Sequence, residues 1–255
     1  MKYLRFLFEG RLVTGEVVED RVYVCDGSIA EGYVRSGASC LLSEIRLEIP
    51  VVPTKVLCVG LNYVDHIKEF GHPVPESPVI FMKPGSSLLE PGGTIRCPKV
   101  SRQVDYESEL AIVIGKTAKN VRVEDAASYI FGYTCANDVT ARDRQDPNGQ
   151  WILAKGCDTF CPIGPWIVTD LDVTDLEVKA TLNGKIVQKT RTSFLLFKPE
   201  YLVSYLSEWM TLYPGDVILT GTSSGVGPML PGDNIVVEIE GIGRLENRVG
   251  EADVP

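Results

Sequence analysis

Histidine is nearly absent: His66 and His72 are the only two in 255 residues. Any metal site must therefore be built mostly from oxygen ligands, which points to Mg²⁺, Mn²⁺ or Ca²⁺ rather than structural zinc. Seven cysteines occur, yet none forms a CxxC pair, and an odd number without such spacing reads as buried thiols. No apolar run approaches the roughly 20 residues that span a bilayer. Met1-Lys2-Tyr3-Leu4-Arg5 carries charges inside its apolar stretch and lacks a small-residue cleavage site, so no signal peptide is expected. A soluble, cytoplasmic protein is the expectation, with no membrane partner. Basic charge is also scarce. With 25 Lys and Arg against 34 Asp and Glu, the net charge is −9, and without a basic cluster nucleic acid is not an expected partner. The dinucleotide fingerprint is missing too, since Gly221-x-x-x-Gly225-x-Gly227 lacks the G-x-G-x-x-G spacing.

What is present is a series of short apolar runs punctuated by turns. Arg21 to Cys25, followed by Asp26-Gly27, reads as a strand ending in a tight turn. Pro50 to Pro53 suggests a boundary between a small β-rich N-terminal domain, 1–52, and a catalytic domain, 53–255. Lys55 to Gly60, Val79 to Met82, Leu110 to Ile114 and Ile130 to Ala136 read as buried strands. Asn62 to Phe70 has helical character, Glu124 to Tyr129 suggests a short helix, and Leu195 to Trp209 is the best helix candidate. Asn183-Gly184 between Glu177–Leu182 and Ile186–Gln188 signals a hairpin. Pro214-Gly215-Asp216 and Pro231-Gly232-Asp233 each lead into a β-branched run. Many short strands with few helices predict a β-rich α+β fold, and alternating βαβ units are not evident.

Chemistry concentrates in an acidic segment, Asp105-Tyr106-Glu107-Ser108-Glu109-Leu110. If the strand has begun, Glu107 and Glu109 share a face, where two carboxylates repel unless a cation lies between them. Alone, such a pair reads as a solvated strand end. Asp138, at the end of another predicted strand, adds a third carboxylate and leaves open positions in an octahedral shell. A 2-oxo acid, offering a ketone oxygen and a carboxylate, would suit those positions.

These segments, in this order, resemble the fumarylacetoacetate hydrolase family. Val59-Gly60-Leu61-Asn62-Tyr63-Val64-Asp65-His66 resembles its entry motif and Glu107-Ser108-Glu109 its metal motif. Gly132 to Asp138 with Thr140 to Asp143 resembles its third-ligand segment, Ala154-Lys155-Gly156 its lysine segment, and Pro214 to Pro228 its late glycine loop. The resemblance spans about residues 54 to 250. It implies a mixed β-roll or sandwich with a few short helices, usually a homodimer, with Mg²⁺ or Mn²⁺ (or Ca²⁺) on Glu107, Glu109 and Asp138. Lys155 would then stabilise an enolate or bind a substrate oxygen, where an unplaced lysine would be an ordinary surface residue. Arg142 and Gln145 would contact substrate, and Thr222 with the Gly221 loop amides would hold its carboxylate. His66 and Glu69, spaced i,i+3, would form a general-base pair on a mobile lid. His72, between Gly71 and Pro73, reads as a loop residue without a role. Leu61 stands where some acylpyruvate-cleaving members carry arginine, and Glu240 to Asn247 is closer to isomerising or decarboxylating members, whereas Thr140 to Gln145 leans back toward the hydrolases.

The leading expectation is hydrolytic C–C cleavage of a small 2,4-dioxo, acylpyruvate-like acid, with His66 activating water. The alternatives on the same site are a 2-hydroxyhepta-2,4-diene-1,7-dioate isomerase, a 5-carboxymethyl-2-hydroxymuconate-pathway decarboxylase, or an oxaloacetate decarboxylase or tautomerase. A non-catalytic metal-organised binding protein is the competitor from another class, but it would have no need of an oriented base.

Overall fold

A computed structural model describes residues 1–69, 71, 73–146 and 150–251; His72 and Phe70 lie outside them. The chain opens with a meander of four strands, β1 (Lys2–Phe8), β2 (Arg11–Val18), β3 (Arg21–Ser28) and β4 (Gly32–Leu41), then a short β5 (Leu47–Glu48). Asp26-Gly27 is not a turn. It lies inside β3, where an irregular register with β4 and a positive φ at Gly27 let the strand continue to Ser28.

Next come β6 (Val56–Gly60), helix α1 (Val64–Glu69), β7 (Val79–Lys83), β8 (Leu88–Leu89) and β9 (Thr94–Cys97). The acidic region folds as β10 (Val104–Tyr106) and β11 (Ser108–Ile114), followed by α2 (Val123–Ala126), β12 (Ile130–Asn137) and β13 (Thr140–Ala141). Helix α3 (Ile152–Lys155) precedes β14 (Cys161–Val168), and β15 (Glu177–Leu182) pairs with β16 (Lys185–Arg191) across Asn183-Gly184. Helix α4 is Pro199–Trp209, starting later than its apolar spacing suggests. Pro199 takes its first turn, where a missing N–H costs nothing. The residues before it are bound elsewhere, with the Phe197 amide donating to Asn62 Oδ1 at 2.7 Å. The chain closes with β17 (Val217–Leu219), β18 (Gly227–Met229), β19 (Asn234–Ile239) and β20 (Gly243–Glu251).

The strands form a large sheet in the order β4-β3-β2-β1-β14-β12-β11-β17-β6-β7, a three-stranded sheet β13-β10-β18 and a five-stranded sheet β16-β15-β19-β20-β9. The N-terminal meander joins the large sheet through antiparallel pairing of β1 with β14. This is the expected strand-rich α+β architecture.

Every residue of β11 is buried. Leu110, Ile112 and Ile114 enter a core shared with α4 and the five-stranded sheet, while Ala111 and Val113 pack among Val56, Cys58, Ile163 and Leu219. Strand alternation thus sends one run into two cores, and Glu109 falls on the Ala111–Val113 side. At about 25 cal/mol per Å² of apolar surface buried, two cores of this kind make β11 and β12 a rigid support. Among the described residues no helix is long and apolar enough to cross a membrane.

Candidate metal centre and active site

Glu107 sits in the one-residue gap where the chain passes from β10 to β11, and so from one sheet to another. It still runs alongside the neighbouring strand: the Asp138 amide donates to the Glu107 carbonyl at 2.9 Å, and the Glu107 amide donates to Asn137 Oδ1 at 2.9 Å. That pairing brings Asp138, one residue past β12, beside Glu107 and Glu109. One carboxylate oxygen from each of the three lies within 4.8 Å of the others, and all three residues are buried.

Burial, then the Asp138 and Glu107 charges, push the Glu109 carboxyl well above its usual range. A site that penalises its own third carboxylate in this way is one a cation would relieve. Asp138 Oδ1 is buried with no hydrogen-bond donor among the described residues, although the Lys83 ammonium lies 2.7 Å away. The two observations agree, because the three N–H groups of Lys83 are met by carbonyls and the oxygen keeps its lone pairs. An all-oxygen donor set with such an atom fits Mg²⁺ or Mn²⁺.

Three cations surround the carboxylates. Lys155 Nζ donates to Glu107 Oε2 at 2.8 Å and Asp138 Oδ2 at 2.7 Å. Burial works against its charge, but Asp138 and Glu107 outweigh it, and its pKa is pushed up to about 12. For Glu107, burial is likewise overcome, by Lys155, Arg142 and His66, which hold it well below the carboxylate range. The apolar flank of Lys155 does not bury it: Ile152 and Leu153 are exposed, and only Ala154 turns inward beside it. Arg142 donates to Asp105 Oδ2 at 2.8 Å, to Glu107 Oε1 and, at 2.6 Å, to Gln145 Oε1. Gln145 is thereby held to the site through Arg142.

The third cation, Lys83, has no role in the sequence reading, nor does Asp105. Their signals were a lysine closing the apolar run Val79 to Met82 and an aspartate opening the acidic segment. Neither is distinctive.

On the α1 side, His66 Nδ1 lies 3.1 Å from Glu69 Oε2. Helix α1 is held to the glycine loop by Ser224 Oγ donating to Asp65 at 2.8 Å and the Gly225 amide donating to Glu69 Oε1 at 3.0 Å. The Gly221 amide donates to Glu109 Oε2, so it steadies a carboxylate of the trio. A Cβ at Gly221, where φ is +98°, would lie 2.8 Å from the Asn62 side chain, so glycine is required. Thr222 Oγ1 donates to the Ser108 carbonyl at 3.0 Å and accepts from Gln188 at 2.9 Å.

A small cavity of about 30 Å³ lies between these groups. The residues selected from sequence all line it except Glu69 and Gly221, which reach it through His66 and Glu109. Of its apolar wall, Leu61, Phe81 and Trp151, only Leu61 stands out in the sequence. Trp151 packs where a Cβ on Gly60 would be, 2.8 Å from its ring, and Leu61 adopts φ +56°, a conformation uncommon for a bulky residue. Since one water needs roughly 10–15 Å³, the cavity as it stands holds little more than water.

Residues 55–250 match the family described as fumarylacetoacetate (FAA) hydrolase C-terminal. The fold is similar to the 5-carboxymethyl-2-hydroxymuconate delta-isomerase of Mycobacterium smegmatis, with TM-score 0.92 and 42% identity over 99% of this chain and all of the other. It is also similar to the maleylpyruvate hydrolase of Sphingobium sp. SYK-6, solved with manganese(II) and pyruvate, with TM-score 0.82 and 32% identity over 99% of this chain and all of the other. In sequence, the mitochondrial oxaloacetate tautomerase Fahd2a of Rattus norvegicus is 44% identical across 81% of this chain and 70% of its own length.

Proposed function

The chain belongs to the fumarylacetoacetate hydrolase family, and on that premise we propose that it transfers a proton on a small 2-oxo acid, converting enol and keto forms. The observation that carries this reading is the His66–Glu69 pair lining the same cavity as the carboxylate trio and Lys155. The relatives at 42 to 44% identity named isomerase and tautomerase support proton transfer over cleavage.

When bound at Glu107, Glu109 and Asp138, Mg²⁺ or Mn²⁺ supplies Lewis acidity toward the oxygens of a 2-oxo acid. The protein's own groups do the rest. Glu69 accepts from Nδ1 of His66, which orients the ring and leaves proton exchange to Nε2. His66 takes the enol O–H proton; that bond's electron pair becomes the carbonyl π bond, and the C=C pair takes a proton at C3 from the imidazolium. Lys155, a permanent cation, stabilises negative charge on the enolate oxygen between the two transfers. Thr222, Gln145 and Arg142 orient the acid.

The test follows enol oxaloacetate by absorbance with Mn²⁺-loaded protein. Accelerated loss of the enol without new pyruvate is expected.

A second reading, hydrolysis of an acylpyruvate, is favoured by the same base pair, which could equally activate water, and by the likeness to maleylpyruvate hydrolase. Cleavage of acetylpyruvate to pyruvate and acetate, with no effect on oxaloacetate enol, would put hydrolysis first.

A further inference from the structure

Lys83 is almost fully buried, at 1% exposure, yet it ends a strand whose preceding residue, Met82, is 44% exposed. Burying an ammonium is expensive unless every proton is met. Here each is met by backbone: Nζ donates to the carbonyls of Val139 at 3.0 Å, Phe160 at 2.8 Å and Lys155. The fourth neighbour is Asp138 Oδ1, at 2.7 Å.

These partners are not a random lining. Val139 follows Asp138, the Lys155 carbonyl belongs to the lysine that bridges Glu107 and Asp138, and Phe160 leads into β14, which pairs with β12. One ammonium thus ties together the backbone of the segments carrying Asp138 and Lys155, and its charge lies against one oxygen of Asp138 while Lys155 donates to the other. We infer that Lys83 is a positioning residue that fixes Asp138 and Lys155 relative to each other, so that the carboxylate trio is assembled before a metal arrives. A guanidinium is planar and wider than this cage, so arginine could not replace it.

The inference rests on reading Glu107, Glu109 and Asp138 as a divalent-metal site, and the sign of one measurement makes it testable. Removing a positive charge beside a cation site should, by Coulomb's law alone, tighten cation binding. A positioning role predicts the opposite. Titration of metal-free wild type and Lys83→Met with Mn²⁺ in a calorimeter, beside melting curves of both apo proteins, reads this directly.

The expected result is Mn²⁺ affinity about tenfold weaker or worse, the usual scale for losing a group that orients a ligand. With Mn²⁺ saturating, kcat should fall while KM changes little. A lowered apo Tm with Mn²⁺ affinity unchanged or tighter overturns the inference and leaves Lys83 a purely structural residue. Should Lys83→Met not fold, Lys83→Gln keeps two donors for the carbonyls and is read by the same criteria; failure of both to fold also makes the role structural. Wild type that binds no Mn²⁺ would sink the metal reading, and the inference with it. Wild type that binds while the variant binds equally well sinks only the assignment of Lys83.

Discussion

The two ends of the cavity are built differently. At the carboxylate end, Glu109 lies in β11 and Asp138 one residue past β12, strands that feed two cores and whose mutual pairing runs from Ser108–Asn137 to Ile114–Ile130. At the other end, that of the proposed base, His66 and Glu69 ride on the six-residue helix α1, too short to be stable alone. It is tied to the glycine loop by two side-chain contacts, Asp65 to Ser224 and Glu69 to Gly225, with Ile67 as its buried apolar anchor. A metal site needs geometry held to a fraction of an ångström, and a buried sheet supplies it. If His66 and Glu69 serve as the proposed base, admitting substrate needs an element that opens at low cost, and a short helix held by surface hydrogen bonds is suited to that.

If the carboxylate end organises the reaction, the largest effect should come from emptying it. EDTA treatment should abolish turnover, and Mg²⁺ or Mn²⁺ should restore it. Because the ion binds only the folded state, at a hundred times its Kd it should add about 2.7 kcal/mol of stability, seen as a rise in Tm. Full turnover by rigorously metal-free enzyme would remove the basis for reading the trio as a metal site.

Breaking the base end comes next. His66→Ala should lower kcat by roughly a hundred- to ten-thousandfold, the usual contribution of a general base, while Mn²⁺ affinity stays within about twofold. Glu69→Gln should cost less, since it removes only the orienting acceptor. Weaker metal binding in His66→Ala would show that the two ends are not separate.

Lys155 bridges the comparison, because it touches two of the carboxylates and faces the cavity. Lys155→Met should reduce kcat about a hundredfold, near 3 kcal/mol for one buried contact to developing charge. A variant that instead keeps kcat and loses Mn²⁺ affinity would place the lysine with the carboxylate scaffold.

The same contrast governs how far the site could be read from the chain. Glu107, Glu109 and Asp138 were legible because each lies on or beside an apolar run whose alternation can be counted, and because the motifs come in a recognisable order. The closeness of His66 and Glu69 can be read from helical spacing, and the Asn183-Gly184 hairpin from turn chemistry. Lys83 was not, since its carbonyl partners lie 56, 72 and 77 residues away and a lysine after Met82 looks like any strand-end cation. Trp151 escaped for the same reason: its contact with Gly60 exists only once β6 and the segment before α3 are brought together. The pairing of β1 with β14 and the parallel pairing of β17 with β6 are equally non-local, so no local pattern announces them.

The smallest expected effect concerns the cost of the carboxylate end itself. Glu109 has its carboxyl raised by burial and by the Asp138 and Glu107 charges, so in the metal-free protein folding works against its ionisation. A carboxyl raised on folding contributes stability that is fully present below its unfolded pKa and is lost as pH rises through the folded value. The apo protein should therefore lose stability as pH climbs above the ordinary carboxylate range. Glu109→Gln mimics the protonated carboxyl, and its amide can no longer ionise. Its apo form should match wild type at acidic pH and exceed it by about 1 kcal/mol or more near neutrality, the scale of relieving one poorly compensated buried group. Apo melting curves of both proteins across that pH range give the comparison. Mn²⁺ should reverse it, stabilising wild type and leaving Glu109→Gln nearly unmoved. A variant less stable than wild type at every pH would show that the Gly221 amide contact to Glu109 outweighs the repulsion, and that the carboxylate end is balanced without an ion.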